Sequence, residues 1–454
     1  MGTPNWANRT IFTGDNLDIM RGMNSETVDL IYLDPPFNSN KNYAAPVGSK
    51  AAGAAFKDTW TLSDLDVAWM GLIADQEPAV YKLLEAARLT HGKGMQSYLC
   101  MMSVRLLEMR RLLKEKGSIY LHCDSTASHY LRLLMDAVFG SGNFRNEILW
   151  KRFNFHADAK RFGKVTDTLL FYSKTKSYVF NQQRVEFSQE YIKSKFTHVD
   201  DDGRRFRLDN LNPPGGRGPV YEFSGVTKAW RFTEAKMREL ENQGRIYHKS
   251  RVAQLKRYLD ELDGQAVHNI WSDISPINPR AKERVGYPTQ KPLALLERII
   301  KASSNEGNVV LDPFAGCATS LIAAQAEGRK WIGIDLSPKA VELVKQRIDA
   351  LTAVPIKINP RTDIPQRTDI DAPIYYRQNK HVLFGQQEGV CNGCKMDFPF
   401  KIFDVDHVVP KSRGGTDHID NLQLLCSSCN RIKGDRPMEF LMAQLAKQGA
   451  TTVY

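Results

Sequence analysis

Leu311-Asp312-Pro313-Phe314-Ala315-Gly316-Cys317-Ala318-Thr319-Ser320 joins a short apolar run, Val309-Val310-Leu311, to a segment of helical period, Ser320–Ala326. Small residues occupy this turn, where a ligand must approach the backbone closely. About twenty residues on, Trp331-Ile332-Gly333-Ile334 reads as a second strand ending at Asp335, where a carboxylate is placed to bind ribose hydroxyls. The loop lacks G-x-G-x-x-G, and G-x-x-x-x-G-K-[ST] occurs nowhere in the chain. A nucleoside-type cofactor without a pyrophosphate cradle is therefore favoured over a dinucleotide or ATP.

Outward from this loop, strands and helices alternate. Val28–Leu33, Gly117–His122, Asn146–Trp150 and Asp167–Tyr172 have strand character. Leu99–Leu113, with a stop at Lys116-Gly117, Ser128–Phe139, Leu293–Ala302 and Pro338–Leu351 have helical period. Between about Val179 and Gly264 the period breaks down and arginines interleave with aromatic residues. The pattern predicts an α/β fold, a parallel doubly wound sheet interrupted by an inserted module. Domain limits follow at 1–353 with an insert at about 179–272, a Pro- and Asp-rich linker at 354–378, and a small unit at 379–454.

The 454 residues carry 62 Lys+Arg against 51 Asp+Glu, a net +11, with 42% hydrophobic residues. This composition excludes whole-chain disorder, and no apolar run approaches the roughly 20 residues of a membrane helix. The N-terminus lacks the basic-then-apolar layout of a signal peptide, so a soluble intracellular protein is expected. Lys151–Asp260 holds 23 basic and 13 acidic residues, 23 − 13 = +10, whereas 379–454 holds 9 and 8, or +1. The localised excess is a candidate footprint for a polyanion.

Asp34-Pro35-Pro36-Phe37 follows the buried strand Val28–Leu33. The prolines stiffen the backbone, so the Asp34 carboxylate and the Pro35 carbonyl can both accept hydrogen bonds from one amino group. Phe37 offers a face for stacking a planar ring. Such fixed acceptors assist an aromatic amine, whose delocalised lone pair makes it a poor nucleophile, as its nitrogen becomes tetrahedral.

Asp34–Phe37, Tyr287-Pro288-Thr289-Gln290-Lys291-Pro292 and Asp312–Thr319 resemble the motifs of amino-methylating DNA methyltransferases, in the order of the β class. The resemblance spans about residues 9–351. It implies a Rossmann-like methyltransferase fold with an inserted target-recognition module, S-adenosylmethionine as methyl donor, and a base flipped out of double-stranded DNA. It places Asp34, Pro35, Pro36 and Phe37 at the reaction, and Asp15, Thr289, Lys291, Asp312, Phe314, Gly316 and Asp335 at the cofactor. Asp34 at the head of the motif favours adenine over cytosine. Ala318 stands where the family usually has Gly. Arg204, Arg205, Arg207, Arg217 and Arg231, with Phe206, Tyr221, Phe223 and Trp230, fall in the recognition insert as candidate phosphate or base-edge contacts. The resemblance leaves a homodimer open and implies a cytoplasmic protein of a prokaryotic cell or phage, with no membrane partner.

Cys391-x-x-Cys394 and Cys426-x-x-Cys429, separated by 31 residues, can each supply two thiolates to a structural Zn²⁺. A unit this small buries little core, so a metal staple makes physical sense. Between and around the pairs, Asp404–Pro410, Gly414-Gly415, Asp420–Leu422 and Cys429–Gly434 resemble the HNH (ββα-metal) nucleases over about residues 380–440. That resemblance makes His407 the general base, Asp406 and Asn430 ligands of Mg²⁺ or a similar divalent ion, and Asn421 the brace of the His407 loop. The implied whole is a DNA adenine methyltransferase fused to an endonuclease, a restriction–modification protein. The alternative is a solitary adenine or cytosine-amino methyltransferase whose zinc domain only binds DNA.

Overall fold

The computed structural model describes residues 2–36, 77–153, 160, 162–249, 252–351, 355–369 and 376–447, and the backbone of the strands Lys41–Ala44 and Ala55–Asp58. Phe37 lies outside the described residues.

Among the described residues, nine strands form the main sheet: β1 (Thr10–Thr13), β2 (Val28–Leu33), β3 (Leu113–Cys123), β4 (Phe144–Lys151), β5 (Thr166–Ser173), β6 (Ile270–Trp271), β7 (Val309–Asp312), β8 (Lys330–Asp335) and β9 (Asn359–Arg361). Their spatial order is β6-β4-β5-β3-β2-β7-β8-β1-β9. All neighbours are parallel except β5, which runs against both β3 and β4. The sheet is thus mixed rather than wholly parallel. A parallel neighbour needs a crossover long enough to cover a sheet face; the described residues between β4 and β5 contain no helix.

The centre of the sheet positions the site. β2 and β7 pair with Leu30 opposite Val310 and Ile31 opposite Leu311, so Asp34 and Asp312 emerge side by side from their C-terminal ends. From β2 the chain passes to β3 on one side, and from β7 to β8 on the other. Such a switch point opens the crevice that open α/β sheets use for ligands. Its packing is fully apolar: Ile31, Leu33, Leu311, Ile332 and Ile334 are completely buried.

Among the described residues, the helices of this domain are α1 (Asn16–Gly22), α2 (Pro78–His91), α3 (Lys93–Leu112), α4 (Ser128–Phe139), α5 (Leu293–Ser303), α6 (Thr319–Ala326) and α7 (Lys339–Leu351). The stop expected at Lys116-Gly117 is not a helix end. α3 closes at Leu112, and Lys116-Gly117 lies within β3, where the register against β2 shifts. The glycine marks a β-irregularity, the other common reason for Gly beside a strand.

Gln182–His268 form a separate compact unit. It holds a four-stranded antiparallel sheet of Ile246–Lys249, Val252–Tyr258, Arg205–Asn210 and His198–Val199, and a hairpin of Val220–Phe223 with Val226–Ala229. Phe223 and Trp230 pack with Leu211, Met237 and Leu255 in its core, and Phe206 is buried as well. These three aromatics therefore build the unit instead of facing a partner. Tyr221 is half-buried and donates to the Phe232 carbonyl.

The segment read as a linker is threaded onto the main domain. β9 pairs with β1, Asn24 is bonded to Thr368, and the Ser25 N–H donates to Asp369. Beyond it, β10 (Phe403–His407) and β11 (Leu422–Cys426) form an antiparallel pair packed with α8 (Lys380–Gln386), α9 (Ser427–Lys433) and α10 (Met438–Lys447). This small domain rests on α1. A β-carbon built on Gly414 would stand 3.3 Å from the Asp18 carbonyl and from Ile364, and Glu439 of α10 faces Arg21 electrostatically.

Candidate active sites

A cavity of about 490 Å³ opens at the switch point, within the size range of cofactor sites. Asp15, Asp34, Pro35, Pro36, Thr289, Lys291, Asp312, Phe314, Gly316 and Asp335 all line it. The loop after β7 is held by its own carboxylates. Asp312 accepts from the Phe314 N–H at 3.0 Å and from the Ser320 hydroxyl; burial pushes its carboxyl up to about 7. Asp335 accepts from the Gly316 N–H and the Ser337 N–H, both at 2.8 Å, and burial raises it as well. Gly316 has φ +52°, and a β-carbon there would come within 3.3 Å of the Tyr287 ring. Ala318 also adopts the left-handed region at φ +60° and is fully buried. This conformation gives a physical reason for glycine at that position.

Opposite this loop, Asp15 caps α1 through the Leu17 N–H at 2.8 Å. Arg105 donates to Asp15 at 2.9 Å and to Asn16 at 2.7 Å, and Asn16 donates to the Pro313 carbonyl at 2.7 Å. The two walls are therefore tied together by one arginine and one amide. Just past the C-terminal end of β2, the Lys291 ammonium pairs with Asp34 Oδ2, while Asp34 Oδ1 is buried and has no hydrogen-bond partner among the described residues. A buried carboxylate oxygen left without a donor is costly unless another molecule supplies one.

In the small domain, Cys391, Cys394, Cys426 and Cys429 place their sulfurs within 4.8 Å of one another, a separation compatible with Zn–S bonds of about 2.3 Å. The Cys426 N–H donates to Cys391 Sγ at 3.1 Å. Burial raises the Cys391 thiol, but backbone N–H groups outweigh it and hold the thiol below its usual range. Gly393 is close-packed here, since a β-carbon would stand 3.0 Å from Cys429 Sγ. The donor set fits a closed structural Zn²⁺ site.

His407, at the end of β10, bonds Asp417 through Nε2 at 2.6 Å. Asp417 also takes Lys411 at 2.6 Å. Burial works to raise the Asp417 carboxyl, and the bonds from Lys411 and His407 overcome it and hold it below the usual range. The Asn421 side chain accepts from the Val409 N–H at 2.9 Å and donates to the Val409 and Thr416 carbonyls, bracing the loop after His407. Asp406 is engaged differently from the resemblance. It holds the buried Lys433 ammonium at 3.0 Å and Gln423 at 2.9 Å, whereas Asn430 bonds Asp404 at 3.1 Å.

A family model described as DNA methylase, of the N6/N4 type, matches residues 28–346, most of the chain. The chain belongs to the DNA methylase family. A second family model, HNH endonuclease, matches residues 391–436. The methylase is 28% identical over 393 residues to the type II methyltransferase M.EcaI of Enterobacter cloacae, covering 83% of this chain and 78% of that one. It is 25% identical over 344 residues to the DNA adenine methyltransferase YhdJ of Escherichia coli, covering 75% and 83%. Among solved structures, the M1.HpyAVI–SAM complex aligns at a TM-score of 0.36 and 17% identity, over 75% of this chain and 98% of that one.

The structure of the methylase gathers every described residue expected at the cofactor and the reaction into one cavity. Within it, the Lys291 ammonium pairs with Asp34. Arg105 and Tyr32 line the same cavity and have no motif of their own in the sequence. Asp417 is equally silent, because only folding brings it to His407.

Proposed function

We propose that the methylase transfers a methyl group from S-adenosylmethionine to the exocyclic amino group of adenine at specific sites in double-stranded DNA. Asp34 carries the proposal: its Oδ1 is buried on the cavity wall without a donor while Lys291 holds Oδ2. An amino group presented there would satisfy Oδ1 and could donate its second proton to the Pro35 carbonyl. The nitrogen lone pair is then released from the ring and directed at the donor. When bound, S-adenosylmethionine supplies an electrophilic methyl on sulfur. Asp335 and the Gly316 turn would hold its ribose side, and Asp15 the opposite wall. An aspartate rather than a serine before Pro35-Pro36 supports adenine. Asp34→Ala should abolish methyl transfer to adenine while cofactor binding persists; retained transfer would remove Asp34 from the reaction.

The small domain is proposed as an Mg²⁺-dependent endonuclease, which with the methylase makes a restriction–modification protein. Asp417 fixes the His407 ring through Nε2 and leaves Nδ1 for a water proton. Asp404, Asp406 and Asn430 offer the oxygen ligands that Mg²⁺ prefers, and the ion would neutralise charge on the scissile phosphate. Asp406 is paired with the buried Lys433 ammonium, which the ion would displace or share. The same contact favours the second reading, a zinc domain that only binds DNA with Lys433 as its fixed charge. Nicking of unmethylated DNA with Mg²⁺, lost in His407→Ala, separates the two: no nicking by either protein favours the binding domain.

A further inference from the structure

Three adjacent strands place a polar chain behind Asp34. Tyr32 lies two residues before Asp34 on β2, hence on the same face, and lines the cavity. Its hydroxyl is 3.0 Å from His122 Nδ1 on β3, and His122 Nε2 is 3.0 Å from Asp167 Oδ2 on β5. Tyr32, His122 and Asp167 are 3%, 0% and 3% exposed. Arg152, another residue of the cavity wall, stands 3.5 Å from Asp167. With His122 neutral, one arrangement satisfies all three groups: Nε2–H donates to Asp167, and Tyr32 O–H donates to Nδ1.

An amino group that gains a methyl becomes cationic and must lose a proton. Asp34 is a poor place to leave it, because neutralising that carboxylate strands the buried Lys291 ammonium. We propose that Tyr32, His122 and Asp167 are the outlet for this proton. The inference rests on the methyl-transfer reading above. The nitrogen forms a bond to the methyl carbon as the sulfur–carbon bond breaks with its electron pair. As this bond forms, the N–H released from the Pro35 carbonyl passes its proton to the Tyr32 oxygen while the Tyr32 proton passes to His122 Nδ1. The result is a neutral methylamine and an imidazolium paired with Asp167. When the product leaves, the proton returns through Tyr32 to water in the cavity. The electrostatic surroundings suit this sequence. Asp34, Asp312 and Cys317 face Tyr32, whose phenol burial holds well above its usual range, so it relays as a neutral hydroxyl. On the far side, burial works to raise Asp167, but His122, Arg152 and Lys291 hold it low and keep it anionic.

Tyr32→Phe removes one oxygen and keeps the ring, and His122→Gln removes the acceptor. Each should lower single-turnover methyl transfer about 100-fold, the low end for a positioned proton acceptor. Both should also make the rate climb from pH 7 to 9 as hydroxide replaces the relay, where wild type stays flat. Cofactor affinity, measured by calorimetry, should stay within about threefold, because neither change alters the Asp312 and Asp335 loops. Independently of activity, ¹⁵N spectra of the cofactor-free protein should show His122 as the Nε2–H tautomer with Nδ1 hydrogen-bonded, and Tyr32→Phe should abolish that Nδ1 signature. Variants with wild-type rates, or slower ones with an unchanged flat pH profile, would overturn the relay. A wild-type protein that methylates no DNA would instead overturn the methyl-transfer reading itself.

Discussion

Lys291 shows how a residue can be found from sequence and still be given an incomplete role. Its motif follows a resemblance that points to the cofactor, but its ammonium pairs with Asp34 across 257 positions of chain. No local pattern encodes that distance. The pair leaves one carboxylate oxygen satisfied and the other open, so Lys291 sets which atom meets the substrate. Lys291→Met should therefore reduce single-turnover methyl transfer by roughly 100-fold or more, the scale of losing a preorganised electrostatic partner. S-adenosylmethionine binding, followed by calorimetry, should weaken far less. A variant that loses affinity and rate in equal measure would return Lys291 to the cofactor site. The residues that sequence reasoning missed share this feature. Arg105, His122, Asp167 and Asp417 gain their meaning from partners on other elements, whereas Asp312 bonds the Phe314 N–H and Ser320 within its own turn, and Asp335, which also takes the Gly316 N–H from across α6, was legible from its place at a strand end.

Elements were legible wherever the hydrophobic period was strong. β2 and α4 begin and end where the pattern places them, at Val28–Leu33 and Ser128–Phe139. α2 escapes because its buried face is only Val80, Leu84 and Ala87. The direction of β5 escapes because alternation along a strand carries no sign. The two cysteine knuckles are the opposite case, local spacing that specifies an element outright. They join the turn at Cys391–Cys394 to the β11–α9 junction, over a core that includes Leu383, Phe403, Leu424, Leu425 and Leu441. So small a core needs the staple. A strong zinc chelator should release a single Zn²⁺ per chain, expose residues 379–447 to limited proteolysis and end DNA nicking, while methyl transfer persists. Loss of methyl transfer in parallel would mean that the small domain, resting on α1, supports the cofactor wall as well. A chain that binds no zinc as purified would remove the staple.

The charge of the whole molecule is more selective than its total suggests. Many of the basic residues between Lys151 and Asp260 are paired inside the Gln182–His268 unit. Arg204 pairs with Asp260 and Glu261, Lys256 with Asp200, Arg207 and Arg257 with Asp209, and Arg245 with Glu261. Exposed ion pairs of this kind add little stability, but they withdraw their arginines from any phosphate. Arg205, Arg217 and Arg231 remain exposed, and these are the residues that should touch the DNA backbone. Each phosphate contact contributes about 0.9 to the slope of log affinity against log salt. Replacing all three by Ala should therefore flatten that slope by about 2.7 if each meets one phosphate. The loss should be similar on specific and unrelated duplexes, because backbone contacts position the protein and carry no sequence information. Arg204→Ala should leave the slope unchanged, since its charge is already matched by Asp260 and Glu261. Binding isotherms at four or five salt concentrations separate the outcomes. An unchanged slope in the triple variant would move the DNA contact off this unit. A loss confined to one sequence would make at least one of the three arginines a reader of base edges.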